Sequence, residues 1–137
     1  MAIAFIVTLE KQLPGQAAYA KGATGKALAR ESDKLDSVAR RRNVSPITSL
    51  LSENPATVIE QLKADGFDPS KMRVPPELWY AATEGLKTTR ALTEYVGANL
   101  NDFKQPNPIL RDLKAAEALL VEAEAAGVRF HFSKTDF

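Results

Sequence analysis

The sequence predicts an α+β fold: a mostly helical single domain, with about five helices packed on a small sheet that pairs the N-terminal and C-terminal strands. The two ends of the chain carry this reading. Met1, Ile3, Phe5, Val7 and Leu9 alternate with Ala2, Ala4, Ile6, Thr8 and Glu10, which is the period of a strand covered mainly on one side. At the other end, Asn107 to Phe132 changes from helical spacing to alternation at Gly127. The length of 137 residues suits one domain with a real core, and no repeat, low-complexity tract or long linker divides it.

After the first strand, Leu13-Pro14-Gly15 reads as a turn. The stretch Gln16 to Gly25 fits either a loop or a short helix. Thr24 is a candidate cap for a helix from about Gly25 to Arg42, with Leu28, Leu35, Val38 and Ala39 as its buried stripe and Asn43 as a left-handed stop. Ser45-Pro46 and Asn54-Pro55 repeat a cap-then-proline pattern, since proline at the first helical position gives up an N–H that has no partner there. The first opens a short helix with Ile47, Leu50 and Leu51. The second opens one with Val58, Ile59 and Leu62 that ends at Gly66.

Phe67 to Pro75 reads as a loop, with room for a third strand around Arg73-Val74. Pro76 then opens a helical pattern through Leu78, Trp79, Ala82, Leu86, Leu92, Tyr95, Val96 and Leu100. Gly85 within it, costing on the order of 1 kcal/mol relative to Ala, marks either a close helix contact or a break into two helices. Gly97 poses the same choice. In the last helix Asn107 is the expected cap and Pro108 the first residue, with Asp112 in the first turn, where the helix dipole favours an anion. Ile109, Leu110, Leu113, Ala116 and Leu120, with Ala123 as a candidate sixth, form its apolar face. Gly127 supplies a left-handed stop, after which Val128, Phe130 and Phe132 point inward and Arg129, His131 and Ser133 outward.

Composition narrows the function classes. Hydrophobic residues make up 45% and charged residues 26%, as in ordinary globular domains. There is no cysteine, which removes disulfides and thiol catalysis. Lys and Arg total 18 against 17 Asp and Glu, so no bulk charge draws the chain to nucleic acid or to an anionic membrane. No apolar run reaches the roughly 18 residues that span a bilayer. The first ten residues lack the basic leader of a signal peptide, and the expected location is cytoplasmic.

Few residues carry chemistry. Lys21 to Ala27 superficially follows a phosphate-binding loop, but Ala20 stands where the first glycine is required and Ala27 where Ser or Thr is required. Arg40, Arg41 and Arg42 form the densest basic run, placed where cations complement a helix C-terminus, diluted by Glu31, Asp33 and Asp36, with no aromatic residue interleaved. His131 is the sole histidine, which excludes paired-histidine metal motifs, and no metal or other cofactor is implied. No nucleophile motif accompanies it. Its strand position puts it on the face of Arg129, Thr8 and Glu10, beside the small Ala2 and Ala4. A shallow polar groove there is the candidate binding site; a histidine satisfied by backbone or a carboxylate is the structural alternative. Trp79 has the phase of a core residue, and Tyr80 is placed nearer the surface.

At Gly25-Lys26-Ala27-Leu28-Ala29, Leu35-Asp36, Asp112-Leu113 and Gly127 to Phe132 the chain resembles a family of small uncharacterised bacterial single-domain proteins. In that family a similar N-terminal strand and C-terminal helix–strand recur. The resemblance implies a bacterial cytoplasmic domain and carries no activity, cofactor or catalytic residue.

Three functions follow as expectations. The leading one is a non-enzymatic interaction protein that associates with itself, a possible homodimer, through exposed strand edges or, as a second possible interface, through the helical stretch from Pro76 to Leu100. The second is a small-ligand-binding protein or minor enzyme using His131, Arg129, Glu10 and Thr8. The third and least favoured is nucleic-acid binding through Arg40, Arg41 and Arg42.

Overall fold

The computed structural model describes residues 3–71 and 73–136. Two strands, β1 (Ile3–Leu9) and β2 (Phe130–Asp136), pair antiparallel, with Leu9 opposite Phe130, Val7 opposite Phe132 and Thr8 opposite His131. Between them come α1 (Gln16–Gly22), α2 (Lys26–Arg30), α3 (Ser32–Arg41), α4 (Pro55–Ala64), α5 (Ala82–Ala98) and α6 (Pro106–Ala126). This is the expected α+β domain with its terminal strands paired. The expected facing of Met1 and Ala2 lies outside the described residues.

The core forms where the α5–α6 pair meets the inward face of the sheet. Phe5, Val7, Leu9, Phe130 and Phe132 are buried against Leu86, Leu113, Leu120 and their neighbours. Gly85 belongs to one uninterrupted helix. A Cβ there would lie 2.4 Å from the Phe130 ring and 2.9 Å from Leu120, so the glycine is what lets α5 close on the ring. Gly127 adopts φ 68° as the left-handed stop of α6, and Val128 folds back to bond the Ala123 carbonyl at 2.9 Å.

Several boundaries differ from the sequence reading. The helix expected over Gly25–Arg42 is two helices, broken at Glu31, although its buried stripe is as predicted and Asn43 has φ 58°. α6 begins at Pro106, because that proline also fits a first turn whose N–H groups need no partner; Asn107 therefore sits inside the helix and does not cap it. Asp112 is not a first-turn anion. It lies deeper in the helix, buried, with Oδ1 accepting the Thr24 N–H at 3.3 Å.

The largest correction concerns Pro76 to Ala81. This segment is extended, and Tyr80 exchanges both backbone hydrogen bonds with Phe130, at 2.8 and 2.9 Å. Paired with β1 on one side only, β2 leaves backbone polar groups along its other edge that need partners, and here that need outweighs helical phase. Leu51 makes a parallel bridge to Phe132 further along the same edge, and the Ser52 N–H bonds the Phe132 carbonyl. Pairing therefore occurs at Tyr80 and Leu51, not at Arg73-Val74.

The outer edge of β1 is occupied as well. The Phe5 N–H donates to the Gly25 carbonyl at 3.0 Å, and the Val7 N–H donates to the Tyr19 hydroxyl at 2.9 Å. Gly25 has φ 75°, and a Cβ on it would stand 2.2 Å from the Phe5 carbonyl oxygen, so no other residue fits this approach. Side chains and loops thus occupy the β1 edge at Phe5 and Val7 and the β2 edge at Phe130 and Phe132, the parts of the edges nearest the core.

Candidate functional site

The pleat of the extended segment decides what covers the second face of the sheet. Tyr80 falls on the Phe130 side, so Trp79 and Glu77 fall on the His131 side. The Trp79 ring packs on the imidazole with centroids 4.6 Å apart. His131 is only 1% exposed. Its Nε2 stands 2.7 Å from the Glu77 carboxylate, and its Nδ1 lies 3.0 Å from the Phe132 carbonyl and 3.3 Å from the Ser133 hydroxyl. Ser133 in turn shares a 2.7 Å hydrogen bond with Thr8.

The order Ser133–His131–Glu77 follows the connectivity of an acyl-transfer triad, so its chemistry needs a direct test. A triad requires a nucleophile open to substrate and donors aimed at a developing oxyanion. Here the Ser133 hydroxyl is engaged by Thr8, the imidazole is sealed under Trp79, and none of Thr8, Glu77, His131 or Ser133 lines the grooves found beside α1, α3, α4 and α6. The network instead fastens the Pro76–Tyr80 segment to the sheet. Each buried polar atom of the ring has a partner, as burial demands.

Glu10 and Arg129 do meet, through hydrogen bonds of 3.3 and 2.5 Å. The Arg129 guanidinium holds the Glu10 carboxyl below its usual range, and the carboxylate raises Arg129 in return. This pair sits at the surface, where such contacts add little stability. The four residues of the expected groove therefore form two arrangements, a largely buried network of His131 with Thr8 through Ser133 and an exposed ion pair of Glu10 with Arg129.

The basic run is placed on a real aromatic neighbour that sequence order hides. Arg41 and Arg42 lie 5.5 and 5.8 Å from the Tyr95 ring centre. Their own guanidinium groups cover that ring, Arg42 also approaches Glu94 at 3.9 Å, and the Tyr95 hydroxyl donates to Asp102 at 2.7 Å. Phe103, the other ring nearby, is buried. This offers no open platform for stacking a base.

Among the concave surfaces of the described residues, two stand apart from the expected groove. One, of about 340 Å³, is lined by Leu51, Val58, Pro75, Pro76 and Leu78, with Glu53 and Lys134 also lining it. Leu78 is 52% exposed, and Phe67 at the end of α4 is 55% exposed. The other, of about 700 Å³, lies between α1 and β1. Among the described residues no group of three or more His, Asp or Glu is placed to hold a metal ion, and no helix is long and apolar enough to cross a membrane. Comparison with protein-family models, curated proteins and solved structures returns no match.

Proposed function

We propose that this protein is a non-enzymatic interaction module that associates with a second copy of itself through the face formed by Leu51, Val58, Pro75, Pro76 and Leu78. The observation that carries the reading is Leu78, a large apolar side chain held half out of the protein on a segment pinned at both its Tyr80 backbone and its Glu77 carboxylate. An exposed apolar surface on a rigid support is the usual mark of a contact site.

A like partner is favoured by the charges lining the groove. Glu53 and Lys134 both line it, so a two-fold related copy can set each against its opposite. α4 adds to the argument: Val58, Ile59 and Leu62 are only half-buried, and the helix contributes no buried residue. An amphipathic helix that buries so little in its own chain has apolar surface left for another.

Sedimentation velocity over a concentration series tests this. The weight-average mass should rise with concentration toward a dimer, and Leu78→Asp should hold it at the monomer without changing the circular dichroism spectrum. A strict monomer at every concentration, or an unchanged dimer in the variant, overturns the proposal.

A further inference from the structure

α1 contains no fully buried residue, and its connection to the sheet is Tyr19. The phenol reaches from the helix to the strand, and its oxygen accepts the Val7 N–H where a neighbouring strand would place a carbonyl. Because a side chain fills that role, the helix is held away from β1, and a groove of about 700 Å³ remains between them. That volume lies in the range of small-molecule sites.

The walls define what fits. Ile6, Leu13, Pro14, Ala17 and Ala20 give a mostly apolar lining, with Ala17 and Ala20 on one face of α1. The Tyr19 oxygen already accepts from Val7, so what this hydroxyl can offer a ligand is its proton. Burial, and secondarily the Asp112 charge, push the Tyr19 phenol up to about 12, against the bond from Val7, so it remains a donor at neutral pH. Lys26 also lines the groove, while Asp112 stands behind Thr24, whose N–H its Oδ1 accepts. The two charges are opposite, and an apolar wall penalises an unpaired ion of either sign.

We propose that the groove between α1 and β1 binds an uncharged, largely apolar small molecule whose oxygen accepts a hydrogen bond from the Tyr19 hydroxyl. This site is separate from the Leu78 face and does not depend on self-association.

The test is a methyl NMR titration of the full chain with 2-nonanone, alongside octanoate and octylammonium as charged arms. The ketone should give saturable shifts at Ile6, Leu13, Ala17 and Ala20, and the two ions should give none there. Ala20→Phe fills the groove from an exposed helix position and should abolish the shifts at Ile6 and Leu13. Tyr19→Phe, checked for native circular dichroism, should weaken ketone binding by a few-fold to about tenfold, the range of one neutral hydrogen bond. If Tyr19→Phe does not fold, the Ala20→Phe arm decides. Absence of saturable ketone shifts, equal binding of either ion, or undiminished ketone affinity in Ala20→Phe overturns the proposal.

Discussion

Phe130 shows how much one side chain organises here. Its ring is fully buried, meets Phe132 edge-on at 5.7 Å, and occupies the space that Gly85 leaves in α5. Phe130→Ala should cost about 3–5 kcal/mol in denaturant unfolding; a loss well under 1 kcal/mol would contradict this packing. Gly85→Ala is the complementary case. Helix propensity alone would stabilise it by up to about 1 kcal/mol, but the new methyl collides with the ring, and overpacking costs about 1–3 kcal/mol. The variant should be destabilised on balance. Glu77→Ala removes the carboxylate from His131 Nε2 and should cost about 1–3 kcal/mol, the penalty of a buried polar group left without its partner. Tyr19 makes a pH prediction. Its folded pKa is raised from 10.0 to about 12, so the folded state holds its proton longer than the unfolded chain. The stability this contributes is fully present below about pH 10 and is lost as pH rises toward about 12. Urea midpoints across that window should fall more steeply for the natural chain than for Tyr19→Phe.

At the scale of elements, the reading of the sequence succeeded where the cause was local. Gly127, Asn43 and the Asn54–Pro55 start obey short-range rules, and the Asn54 side-chain Oδ1 accepts the Ala56 N–H at 2.9 Å, as a cap requires. It failed at Pro76 to Ala81, because the helical phase of Leu78, Trp79 and Ala82 says nothing about the unpaired edge of β2. That edge comes from residues some fifty positions later, and its need for partners fixed the segment as extended. The helical phase also puts Leu78 on a buried face, whereas it is half exposed, and the carboxylate expected as one alternative partner of His131 is Glu77 of this same segment. The facing of His131 away from Phe130 and Phe132 was legible from alternation, whereas its burial under Trp79 was not. α4 offers a prediction at this scale. Asn54→Ala should weaken the helix by about 1 kcal/mol. Because α4 buries no residue, that loss should appear as about fivefold faster amide exchange within Pro55–Ala64, with little change in global unfolding.

At the scale of the molecule, the terminal strands close the fold on itself. β1 and β2 pair with each other, Gly25 and Tyr19 take the outer edge of β1, and Leu51 and Tyr80 take that of β2. Edges covered in this way protect against uncontrolled strand addition. The proposed self-association therefore rests on side-chain surface, with the half-exposed Leu78 on its anchored segment at its centre. The direct measurement is an isotope-filtered NOE experiment on a mixture of ¹³C-labelled and unlabelled chains. Intermolecular NOEs should arise from the methyls of Leu51, Val58 and Leu78. Their absence at concentrations where the mass exceeds that of a monomer, or their appearance instead at Ile3 or Val121, would contradict the assignment of this face.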